Sequence, residues 1–77
     1  MSAAYLTRVD PARNMARFYK LDVQPTLFGD YAVIKEWGRI GSAGQVRSTP
    51  FPTPAEAIAA LEKQRRAKLR RGYSFQA

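Results

Sequence analysis

The sequence predicts an α+β domain: an antiparallel meander of four to five short strands packed on one C-terminal helix. Three observations predict it. Pro and Gly cut the first two-thirds of the chain into strand-sized pieces bounded by turn chemistry. Those pieces are rich in β-branched and aromatic residues. Beyond them, Thr53-Pro54-Ala55-Glu56 opens a stretch whose apolar residues switch to a 3.6-residue period.

Residues 5–10 read as the first strand, with Leu6 and Val9 supplying apolar bulk. Pro11-Ala12-Arg13-Asn14 follows as a turn, since Pro presets φ and Asn tolerates a left-handed end. Residues 15–23 form the second strand: Met15, Arg17, Tyr19, Leu21 and Val23 share one face, and Ala16, Phe18, Lys20 and Asp22 the other. Pro25 and Gly29 make residues 24–30 a loop. Residues 31–40 are a long third strand. Its Ala32, Ile34, Gly38 and Ile40 look core-facing, although Tyr31 and Val33 lie on the side of Trp37. Gly41-Ser42-Ala43-Gly44 turns the chain tightly, and residues 45–49 pair back as a fourth strand; such close turns favour a meander. The helix runs from 55 to about 71. Thr53 caps it, Pro54 takes its first position and Glu56 completes a capping box. Ala57, Ile58, Leu61 and Leu69 form its apolar stripe, and Gly72 stops it.

Seventy-seven residues allow one domain (1–77, core about 5–73). Its hydrophobic fraction of 45% suits a globular chain. Thirteen Lys and Arg stand against six Asp and Glu, a formal charge of +7, which favours polyanionic partners. With no Cys and no His, the chain lacks thiol nucleophiles, the commonest general base and the commonest zinc ligand. No enzymatic activity, cofactor or metal is therefore expected. Neither a signal peptide nor a stretch of membrane-spanning length is evident, so the expected setting is cytoplasmic, without a membrane partner.

Two constellations are candidates for function. On the third strand Lys35, Trp37 and Arg39 project to one side, where an indole can stack on a base or sugar while a guanidinium forks onto a phosphate. Gly38 faces the other way and lets another element approach. The plainer reading is a core Trp at a sheet edge with Arg39 over it as a cation–π lid. Arg47, on the paired strand, extends the positive surface. The second constellation is the basic helix end, Lys63, Arg65, Arg66, Lys68, Arg70 and Arg71, in which Lys63, Arg66 and Arg70 form an exposed stripe and Arg65 falls near the apolar side. These residues are either a phosphate-tracking ridge or a solvated face that suits the helix dipole. Tyr5, Phe18, Tyr19, Phe28 and Tyr31 read as core or edge packing, and Tyr73 as a residue pinning the C-terminus.

The run Trp37-Gly38-Arg39-Ile40-Gly41-Ser42-Ala43-Gly44-Gln45 resembles the signature hairpin of the WGR domain, a module found in poly(ADP-ribose) polymerases activated by DNA breaks. Phe51-Pro52-Thr53, the Ala57-containing helix start and the closing Lys68-Leu69-Arg70-Arg71-Gly72-Tyr73 resemble the family in the same order, so the likeness spans residues 5–73. It implies a sheet curved around one helix and binding to nucleic acid, DNA in preference to RNA, near a strand break or end. Carried over, Trp37 packs on a terminal nucleotide, Arg39 meets a phosphate or a partner protein, and Gly38 keeps the strand clear. The 77 residues hold neither the transferase domain nor the zinc fingers of those enzymes, so the resemblance does not carry an inter-domain signalling role onto Arg39; the stand-alone bacterial members are the nearer likeness. The expectation is a nucleic-acid-binding module that responds to structure and not to sequence. Its alternative is an adaptor that docks a partner enzyme through the same Trp/Arg surface.

Overall fold

The computed structural model describes residues 3–75, and its turns fall where Pro, Asn and Gly place them. Strand β1 (Ala3–Asp10) leads into a single 3₁₀ turn, Pro11–Arg13, closed by Asn14 in the left-handed region at φ 50°. Strands β2 (Met15–Pro25), β3 (Tyr31–Arg39) and β4 (Gln45–Phe51) follow, then helix α1 (Pro54–Arg70) and a two-residue strand β5 (Ser74–Phe75). The sheet is antiparallel in the order β4-β3-β2-β1-β5. Strands β2 and β4 run two residues further than the sequence predicts. Both extensions carry prolines, Pro25 at the last rung of its ladder and Pro50 on the edge strand, where a missing N–H costs little.

Helix α1 starts as its residues dictate. Thr53 stays extended (φ −128°, ψ 153°); its hydroxyl oxygen accepts from the Glu56 N–H at 3.2 Å and donates to the Glu56 carboxylate at 3.1 Å. Thr53→Ala is expected to lower stability by about 1 kcal/mol. A thermal melt would record this as a fall of a few degrees.

The helix covers one sheet face. Leu6, Leu21, Val23 and Val33 meet Ala57 and Leu61 there, all at most 1% exposed. This corrects the assignment of β3. The covered side carries Tyr31, Val33, Lys35 and Trp37, because β2 pairs Val23 with Val33 and Leu21 with Lys35. Of the alternate set only Ala32 is buried, and Ile40 is exposed. The uncovered face holds Tyr5 stacked on Phe18, with ring centroids 6.2 Å apart.

Phe28 is a second correction. It packs on nothing: with Leu27 it stands at the tip of the β2–β3 loop, 92% and 100% exposed respectively. The loop is braced beneath them. The Thr26 N–H donates to the Asp30 carbonyl at 2.9 Å, the Thr26 hydroxyl to the Asp30 carboxylate, and the Phe28 N–H to the Thr26 hydroxyl oxygen at 3.1 Å. Among the described residues no helix is long and apolar enough to cross a membrane.

Candidate nucleic-acid interface

Strand alternation and register bring Trp37 to the helix-covered side directly across from Tyr19. The two rings stack at 6.3 Å between centroids and 27° between planes. At the far end of α1, Gly72 takes φ +94°, a conformation glycine adopts without strain, and turns the chain back. Tyr73 thereby lands edge-on against Tyr19 at 6.3 Å, its N–H donating to the Lys68 carbonyl. Three aromatic rings thus form a row where the helix runs out and the covered face opens.

Cations surround the row. Lys68 places its ammonium 4.4 Å from the Tyr19 ring centre and 5.4 Å from that of Tyr73. Arg17 and Arg39 are partners across the β2–β3 ladder. The Arg39 guanidinium donates to the Asn14 carbonyl at 3.1 Å and to the Asn14 side-chain oxygen at 3.3 Å, so the first turn holds it at the rim. That anchoring replaces the cation–π lid of the plainer reading: the ring-stacked cations among the described residues are Lys68 and Arg65, the latter over Phe75. Arg17, Arg39, Lys68 and the three rings line a groove of about 340 Å³, which Phe18 and Gly38 also border.

Two groups in the groove feel it. Burial first, and then the neighbouring Tyr73, push the Tyr19 phenol above its usual value. Burial, followed by Arg71, Lys35 and Arg17, pulls the Lys68 ammonium below its usual value near 10.5.

Gly38 performs as its spacing predicts. A Cβ there would meet the Gly44 Cα at 3.0 Å and the Phe18 ring at 3.5 Å, so the β3–β4 hairpin folds down onto the uncovered face only because both positions are glycine.

The other sequence-predicted residues divide. Lys35 and Lys63 face each other across a smaller hollow of about 160 Å³ over Val33, Phe51 and Ala60. Arg47 is exposed beside Lys35 on β4. Arg66 and Arg70 are exposed on α1 and do not line the groove. Arg65, which the sequence places near the apolar side, is half-buried and pairs with Glu62 at 2.6 Å. Sequence reasoning missed Arg17, Tyr19, Lys68 and Tyr73 as groove residues. A signal existed for Lys68: it lies seven positions after Leu61, on the sheet-facing stripe of the helix.

Charge is also divided along the molecule, which measures 45 × 24 × 18 Å. Residues 21–34 and 48–61, around the Leu27–Phe28 tip and the helix start, hold Asp22, Asp30 and Glu56 and no Lys or Arg. That end carries −3, leaving +10 for the rest of a chain of net +7.

Comparison with known proteins identifies a family. A curated relative, the "Uncharacterized protein y4dW" of Sinorhizobium fredii (strain NBRC 101917 / NGR234), is 42% identical over 69 residues, which are 90% of this chain and 34% of the relative. The chain thus spans about a third of the length of that protein. No solved structure matches. The sequence profile of the WGR domain matches residues 2–77, Trp37-Gly38-Arg39 included, and the chain belongs to the WGR domain family.

Proposed function

We propose that this domain binds nucleic acid, DNA foremost, at an exposed end or break, recognising its structure and not its sequence. WGR domains are nucleic-acid-binding modules as a class, which supplies the frame. The observation that carries the reading is the groove itself: stacked rings of Tyr19 and Trp37 with Arg17, Arg39 and Lys68 around them. Trp37, half-buried at the rim and backed by the buried Tyr19 ring, can take the face of a sugar or base that duplex stacking no longer covers, and stacking of this kind contributes ~1–3 kcal/mol per base. The cations take the flanking phosphates, and no element offers the side-chain pattern of a base-reading helix. On this reading the chain performs no catalysis; its partner is the nucleic acid, or additionally a protein that supplies an activity.

The test is fluorescence anisotropy with a labelled nicked duplex, competed by blunt-ended, single-stranded and closed-circular DNA at two salt concentrations. Wild-type protein is expected to prefer nicks or ends, with affinity near or somewhat tighter than ~10⁻⁴–10⁻⁶ M. Trp37→Ala and Arg39→Ala should each erase that preference. Equal binding to every competitor, lost in salt and indifferent to both substitutions, would reduce the charge to nonspecific attraction and point to the adaptor role instead.

A further inference from the structure

The helix covers one face of the sheet and leaves the other open, and the two faces differ sharply in charge. Arg8, Arg17, Lys35, Arg39 and Arg47 all alternate to the covered side, by the register that pairs Arg8 with Arg17, Arg17 with Arg39 and Lys35 with Arg47. The open face of β1–β4 holds one cation, Lys20, and two acids, Asp22 and Glu36. It is therefore net −1 on a chain of +7, leaving +8 elsewhere. The rest of that face mixes apolar side chains, Val46 65%, Val9 60% and Tyr5 41% exposed with Ile34 half-buried, with the uncharged polar Thr7, Gln24 and Ser48.

We infer that the open face of the sheet is the contact between two copies of this chain, related by a two-fold axis. Two observations select a second copy as its occupant. First, copies of net charge +7 repel through their basic surfaces, and the open face carries no net positive charge. Second, the face is self-complementary. Lys20 and Glu36 stand opposite each other across the β2–β3 ladder, yet neither belongs to the ion pairs among the described residues, which are Arg13–Asp10 and Arg65–Glu62. A two-fold axis between them sets each Lys20 against the second copy's Glu36, as an isologous contact requires. Four strands ~4.8 Å apart and ~23 Å long outline ~440 Å² per copy, less the part beneath the β3–β4 hairpin, which is below the size of standard specific interfaces. The dimer is accordingly weak, with a dissociation constant on the order of 10⁻⁵–10⁻⁴ M. Both grooves stay outside it, on the covered sides.

Sedimentation equilibrium without nucleic acid tests this, so its outcome is independent of the binding reading. Between ~10 µM and ~1 mM protein, wild-type mass should climb from 8.7 kDa toward twice that value. Lys20→Glu and Glu36→Lys should each weaken association at least ~10-fold, and an equimolar mixture of the two should restore it, because every cross-contact then joins opposite charges. Lys20→Glu is the sharper variant: it lowers the net charge to +5 and would favour association if only overall repulsion mattered. Lys20 is exposed, and circular dichroism would confirm the fold of each variant. A wild-type mass fixed at the monomer value throughout, single variants that associate like wild type, or a mixture that fails to recover would each overturn the inference.

Discussion

Gly44→Ala is expected to destabilise the domain by ~3 kcal/mol or more, a large share of the about 4–12 kcal/mol that a chain this size possesses. The new Cβ would fall against the Trp37 carbonyl oxygen and 2.8 Å from the Phe18 ring. Neither can yield: the first is strand backbone, and Phe18 is buried under the hairpin with Tyr5 stacked on it. Gly41→Ala supplies the contrast. Gly41 has φ +88° but open space around its Cβ position, so its substitution carries only the backbone cost of ~1–2 kcal/mol. Urea unfolding of the two variants would separate them. Equal losses would mean that the turn conformation, and not the close approach of the hairpin, sets the requirement for glycine.

Removing the groove cations together is the second large effect. The triple variant Arg17→Ala, Arg39→Ala, Lys68→Ala should lose ~10²–10³-fold in DNA affinity at ~0.1 M salt, and its log–log salt slope should flatten by ~2.7, at ~0.9 per phosphate contact. Lys63→Ala, Arg66→Ala, Arg70→Ala is the matched control, since both triples reduce the net charge from +7 to +4. If the groove is the site, the control loses much less. Equal losses would show that the charge acts diffusely.

Lys68 adds a dependence on pH. An anion in the groove favours the ammonium, so binding draws in a proton and affinity falls as pH rises through the lowered pKa of Lys68, before ordinary lysines titrate near 10.5. Fold stability moves the other way. The unfolded chain holds the Lys68 proton more tightly than the folded one, so stability rises with pH between the lowered folded value and 10.5. Lys68→Arg should abolish the alkaline step in affinity. Anisotropy across a pH series would record its presence in wild type and its absence in the variant.

Much of the fold is legible in local chemistry. Thr53, Pro54 and Glu56 mark the helix start within a residue, and Asn14 and Gly72 sit at the turns their conformations permit. The buried face of β3 is not legible, because Tyr31-Ala32-Val33-Ile34 is apolar at every position and period-two alternation vanishes there. The choice is made at a distance, by Leu21 and Val23 on β2 and by Leu61 on the helix. The groove is half legible for the same reason. Trp37 and Arg39 announce themselves on one strand, whereas Arg17 and Tyr19 reach the site through the β2–β3 register. Lys68 reads as one more solvated helix cation until the helix is laid on the sheet. Phe28 misleads in the opposite sense, since an aromatic residue in a loop suggests packing and here has none.

The uneven distribution of charge along the 45 Å axis has a kinetic consequence. A molecule with −3 at one end and +10 over the rest experiences a torque as well as an attraction in the field of a polyanion. It turns its Leu27–Phe28 tip away and its groove forward before any contact forms, so a larger fraction of collisions begins in a productive orientation. Added salt shortens the range of that torque to within ~10 Å and slows association.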